Sequence, residues 1–125
     1  MKRRALLMVL CCSLLLSGCG RIKGVVCSLT GREANERVLR QDLFSLRTSI
    51  DDYTMDRAKA PQSLDDLVRA GYLRAIPKDP MTGKSDWVPV QDDSLFSVDQ
   101  TEPGISDVNS ASQGIACNGS TYASW

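Results

Sequence analysis

No histidine occurs anywhere in the 125 residues of this chain. That absence excludes serine–histidine triads, cysteine–histidine dyads, histidine-ligated zinc and imidazole acid–base chemistry. Only carboxylate pairs and bare cysteines remain as material for an active site. There is no Cys-x-x-Cys pair either, so a dithiol redox centre has no motif. Internal repeats and low-complexity tracts are missing, and no apolar run reaches the roughly 20 residues that a membrane-spanning helix needs. Positive charge is in short supply. Setting aside Lys2, Arg3 and Arg4, which sit in what reads as a removable leader, leaves 12 basic against 15 acidic side chains. A nucleic-acid binder would need a basic face, so that class is set aside. What is present is ordinary for one folded domain: 24% charged and 42% apolar residues.

Residues 1–18 have the layout of an export signal. Lys2-Arg3-Arg4 forms a positive start, and Ala5 to Leu16 is a 12-residue apolar core. It ends in Leu16-Ser17-Gly18-Cys19, which looks like a bacterial lipobox. Small residues at 17 and 18 suit a peptidase pocket, and the Cys19 thiol would take a diacylglycerol before its freed amine is acylated. Several acyl chains hold firmly where one is marginal. The reading is therefore a lipoprotein signal peptide at 1–18 and a lipid-anchored tether at 19–32. Gly20, in place of an acidic residue, directs the protein to the outer membrane, facing the periplasm. Cys11 and Cys12 leave with the leader, which makes Cys27 and Cys117 the remaining pair. In an oxidising compartment they are either a disulfide or two separate thiols. Paired, they would close a loop of about 90 residues worth about 3–5 kcal/mol in the chain-entropy model.

The body, residues 33–125, is organised by one long amphipathic helix from Glu33 to Arg57. Leu39, Leu43, Leu46, Ile50 and Tyr53 recur at spacings of 4, 3, 4 and 3, which puts them on one face as core. Thr30 and Glu33 suggest a capping box, and Glu33 and Glu36 suit the positive end of the helix dipole. Ala60-Pro61 ends the run. A short second helix follows over Pro61–Val68, capped by Ser63 with Asp65 and Asp66 in its first turn, and Gly71 supplies the left-handed stop. Trp87–Val90 and Leu95–Val98 read as strands of a hairpin turning at Gln91–Ser94, with Pro89 confining the first to an edge. Thr101 to Gly119 reads as loop, and Ser120 to Trp125 as a last short strand.

The segments Leu43-Phe44-Ser45-Leu46-Arg47, Ile50-Asp51-Asp52-Tyr53, Ala60-Pro61-Gln62-Ser63-Leu64-Asp65-Asp66-Leu67, Gly71-Tyr72-Leu73, Ile76-Pro77-Lys78-Asp79-Pro80, Gly83 and Gly104-Ile105-Ser106-Asp107-Val108 come in this order. Taken together they resemble the type IV pilin-like family, most of all the major pseudopilin (G subunit) of type II secretion systems. The resemblance covers about residues 36–110. It implies an α+β pilin-like fold, one long N-terminal helix packed on a small antiparallel sheet, and a structural role without catalysis. The usual prepilin N-terminus, with its long apolar half-helix and glutamate, is replaced here by the lipid-bearing Cys19. The expectation is thus a lipoprotein-anchored variant acting through protein contacts in a secretion or pilus-like envelope assembly.

The family's calcium loop would fall nearest Asp107, Asn109 and Ser110, with Asp99 alongside; the residues alone suit either an oxygen-ligand site or a solvated Asx-rich turn. No other cofactor is implied beyond the lipid on Cys19. Asp51-Asp52 and Asp65-Asp66 point about 100° apart on their helices, a poor catalytic geometry. Trp87, Tyr122 and Trp125 are either core anchors or an aromatic patch. The patch would make the protein an outer-membrane binding module for a peptide or polysaccharide.

Overall fold

The computed structural model describes residues 27, 30–93, 98, 100 and 102–125. The chain divides into two compact units, Met1–Glu33 and Ala34–Trp125. The signal peptide, Cys19 and most of the expected tether lie outside the described residues, as do Ser94–Ser97, Asp99 and Thr101. Among the described residues no helix is long and apolar enough to cross a membrane.

The architecture is α+β: a long helix α1 (Arg32–Arg57), a short helix α2 (Leu64–Arg69), strands β1 (Val88–Asp92) and β2 (Gly104–Asn109), and a 3-10 turn over Tyr122–Ser124. The 4-3-4-3 stripe of α1 is the spine of the core. Leu39, Leu43, Leu46, Ile50 and Tyr53 are all buried and join Leu67, Trp87, Ile105, Val108, Ala116 and Tyr122 in one cluster. Full burial of each such side chain contributes about 1.5–3 kcal/mol of transfer free energy, which holds in place a helix that would be marginal alone. The helix starts one residue earlier than expected, and the Thr30 hydroxyl donates to the Cys27 carbonyl oxygen at 3.0 Å. It stops after Arg57, where Ala58 takes a left-handed φ of +52°. A residue with a Cβ pays about 1 kcal/mol or more for that conformation.

The short helix follows its sequence closely. The Asp66 carboxylate accepts the backbone N–H groups of Ser63 and Gln62, each at 3.0 Å, and so closes a capping box on the Ser63 cap. Gly71 has φ +85°, as the left-handed stop requires.

The sheet differs from expectation. β1 pairs antiparallel with β2, with a register shift between Val90 and Gln91. Gln91 and Asp92 are strand residues rather than a hairpin turn, and Val98, the one described residue of the expected second strand, is fully exposed in a turn. The true partner, Gly104-Ile105-Ser106-Asp107-Val108-Asn109, lies inside the stretch expected to be loop. Its first residue has to be glycine. A Cβ on Gly104 would stand 2.4 Å from the Ala60 Cβ and 2.9 Å from the Pro61 carbonyl oxygen, the same oxygen that accepts the Ile105 N–H at 2.8 Å. The expected C-terminal strand is instead a 3-10 turn, preceded by an isolated antiparallel bridge between Ile115 and Thr121. Pro89 does sit on an edge strand, since β1 has one partner among the described strands.

Candidate functional site: an exposed flank of the long helix

Glu36 is the helix residue that fixes the C-terminal segment. It is buried, and its Oε1 accepts the Cys117 N–H at 2.7 Å and the Tyr122 hydroxyl at 2.9 Å. Arg40 approaches Oε2 at 3.9 Å. Expected at the positive end of the helix dipole, Glu36 is also an internal acceptor. With Tyr122 held there, Trp125 packs edge-on against it, ring centroids 5.3 Å apart, and donates its indole N–H to Ser120 Oγ at 2.7 Å. The Arg40 guanidinium lies 4.3 Å over the Trp125 ring.

This arrangement builds an open groove of about 470 Å³ between α1 and the C-terminal segment, lined by Arg40, Leu43, Phe44, Arg47, Asn118 and Trp125. Phe44 is 67% exposed. A second groove of about 500 Å³ continues along the helix toward β2, lined by Ile50, Asp51, Thr54, Met55, Ala58, Ile105 and Ser106. Met55 is 81% exposed. Positions 40, 44, 47, 51, 55 and 58 step by three or four, so the two grooves share one flank of α1. A flank carrying a bare phenylalanine and methionine beside arginine and tryptophan has the composition of a protein-contact surface. Periodicity alone does not disclose this flank, because the core stripe dominates it and the rest of the helix reads as solvated back. The available signal is the pair Phe44 and Met55, eleven residues and three turns apart.

Among the described residues nominated for calcium, Asp107 and Asn109 share one partner and Ser110 has another. Arg47 donates to Asp107 Oδ1 at 2.6 Å, to the Val108 carbonyl oxygen at 2.9 Å and to Asn109 Oδ1 at 3.3 Å. The guanidinium therefore stands where an ion between Asp107 and Asn109 would sit. The Ser110 hydroxyl turns away to donate to the buried Asp79 carboxylate. Asp79 also accepts the Met81 N–H at 2.7 Å and organises the turn leading to Trp87, a role its position between two prolines did not disclose. Trp87 is buried, with its indole N–H on the Pro77 carbonyl oxygen at 2.8 Å, so it belongs to the core. Of the three aromatic candidates, Trp125 lines a groove, whereas Trp87 and Tyr122 are buried. Asp51, Asp52 and Asp65 are exposed, whereas Asp66 is engaged by its cap and by Arg69 at 3.3 Å.

Burial, and then the nearby Asp79 charge, push the Asp42 carboxyl above its ordinary value. A carboxyl raised in the fold favours the folded state while protonated and loses that contribution as pH rises through the folded value. Asp42→Asn is therefore expected to raise the unfolding midpoint at pH 7. The gain should disappear below the unfolded carboxylate value of about 3.9. Thermal melts of both proteins from pH 3 to pH 8 check it; a pH-independent difference would contradict a cause rooted in the Asp42 charge.

No protein-family model, curated protein or solved structure matches this chain.

Proposed function

We propose that the protein is a non-enzymatic structural component of a cell-envelope assembly. It would be a pseudopilin-like lipoprotein, held by lipid on Cys19 at the periplasmic face of the outer membrane and acting through protein contacts. The observation that carries this reading is the exposed α1 flank, where Phe44 and Met55 stand bare on a helix whose opposite face is fully committed to the core. The ordered motif series from Leu43 to Val108 supports the pseudopilin-like kinship, and the long helix on a small antiparallel sheet agrees with it in outline. A Cys27–Cys117 disulfide belongs to the same reading. Glu36 fixes the main chain at Cys117.

Replacing Cys19 with alanine tests the anchor. The expected result is release of the protein from the membrane fraction with its thermal unfolding unchanged. A soluble variant that still supports full assembly and secretion would contradict the reading. The second reading, a binding module for a peptide or polysaccharide, is favoured by one observation: Trp125 and Phe44 line an open groove. Phe44→Ala and Trp125→Ala separate the two, since loss of ligand binding with assembly intact would select the module.

A further inference from the structure

We propose that a polar pocket beside the C-terminal end of α1 binds a neutral sugar residue, with the Tyr53 hydroxyl as its innermost contact. The pocket encloses about 330 Å³, near the small end of the range for ligand sites. Tyr53, Lys59, Gln62, Asp66, Gln100 and Glu102 line it, and it shares no residue with the two grooves along α1. Tyr53 is the informative member. Its ring belongs to the core, edge-on to Tyr72 with centroids 5.5 Å apart, and only 8% of the residue is exposed. Its hydroxyl nevertheless has no hydrogen-bond partner among the described residues. Among those residues no side-chain oxygen sealed from solvent lacks a partner, so this hydroxyl reaches solvent, and it does so at the pocket that Tyr53 lines. A polar group carried that deep and left without a protein partner is there to be satisfied by what enters.

The walls select the ligand chemistry. Gln100 is buried; its Oε1 accepts the Ala60 N–H at 3.3 Å and its Nε2 donates to the Glu102 carbonyl oxygen at 2.9 Å, which ties the chain after α1 to the chain before β2. Asp66 is engaged in the α2 cap, where it accepts the Gln62 and Ser63 N–H groups. The Lys59 ammonium, the Gln62 carboxamide and the Glu102 carboxylate remain as exposed rim groups. Two carboxylates against one ammonium disfavour an anion. Apart from Ala60 and the Tyr53 ring the lining is polar, so an apolar peptide side chain finds no wall to lie against. A neutral polyol meets all of these conditions. Each of its hydroxyls both donates and accepts, so adjacent hydroxyls can pair with a donor-only ammonium, an acceptor-only carboxylate, an amide and a phenol at once. The pocket opens to solvent, so the bound unit can be the end of a longer glycan.

The test titrates the full-length protein, in a detergent without a sugar headgroup, and reads binding by saturation-transfer NMR. The probes are D-glucose, D-galactose and N-acetyl-D-glucosamine, with glycine as a zwitterion and inorganic phosphate as an anion. At least one sugar is expected to bind, and Tyr53→Phe to weaken it by about tenfold, the equivalent of 1.4 kcal/mol. The melting curve of Tyr53→Phe should stay where it was, because the lost hydroxyl holds nothing within the fold. Glu102→Ala, at an exposed rim position, should weaken the same sugar. Sugar binding unchanged in both variants would place the ligand elsewhere and overturn the site. A clear fall in the melting temperature of Tyr53→Phe would show its hydroxyl bonded within the fold and overturn the premise. Binding of glycine or phosphate in place of the sugars would overturn the ligand class, and binding of none of the five probes would overturn the pocket as a site. The proposal rests on neither reading of the α1 flank, so none of these outcomes alters the contact surface.

Discussion

Replacing Glu36 with alanine is expected to lower stability by about 3 kcal/mol, because it takes the acceptor from a buried tyrosine hydroxyl and from a part-buried backbone N–H. The Cys117 N–H and the Tyr122 hydroxyl both rely on Glu36 Oε1, and Tyr122 is buried. Each buried donor left without an acceptor costs about 1–3 kcal/mol, and the vacated side-chain volume adds to it. For a domain of this size the melting temperature should fall by about 15 °C. Glu36→Gln keeps one acceptor oxygen and should lose much less. Because Trp125 packs on Tyr122, the alanine variant should also loosen the groove beside Phe44, and indole fluorescence reports that directly. A loss under about 0.5 kcal/mol would mean that the C-terminal segment is held by something other than this carboxylate.

Leu46→Ala is the second large effect. Leu46 is completely buried at the middle of the α1 stripe, within the single core cluster. Buried leucine truncations cost about 2–5 kcal/mol, the spread reflecting how far the surroundings collapse. Leu46 is wholly buried in that cluster, so about 3–4 kcal/mol is expected in urea unfolding, with the slope unchanged. Phe44→Ala, two positions away and larger by volume, is expected to shift stability by about 0.5 kcal/mol or less because the ring is already in water. The contrast between the two is the useful quantity. Equal losses would place Phe44 in the core and remove the contact surface on which the functional proposal rests.

These two positions also mark how far the sequence can be read. Leu46 is legible because periodicity reports a buried face whatever it packs against, and the same holds for Leu39, Leu43, Ile50 and Tyr53. Local signals serve equally well at Ser63 and Gly71, where cap and stop chemistry depends on a few adjacent residues. β2 is not legible. Its six residues carry only two large apolar side chains, Ile105 and Val108, and its glycine answers to Ala60 and Pro61, more than forty positions earlier. Glu36 fails for the same reason in reverse: its partner amide lies 81 residues away, and nothing local distinguishes it from the other acids of the helix. Arg47 likewise takes its meaning from Asp107, 60 residues on. Phe44 and Met55 are visible in the sequence, but their importance emerges only once the opposite face is known to be the core.

The central claim is a lipid-tethered head that works by contact, and the intact mass of the mature protein purified from membranes tests it most directly. The predicted species is residues 19–125 carrying a diacylglyceryl group and an N-acyl chain, with a gain of about two mass units on reduction as a Cys27–Cys117 bridge opens into two thiols. A lipid-free mass, or a methylated amino terminus further along the chain, would contradict it and restore the processing of an ordinary pilin.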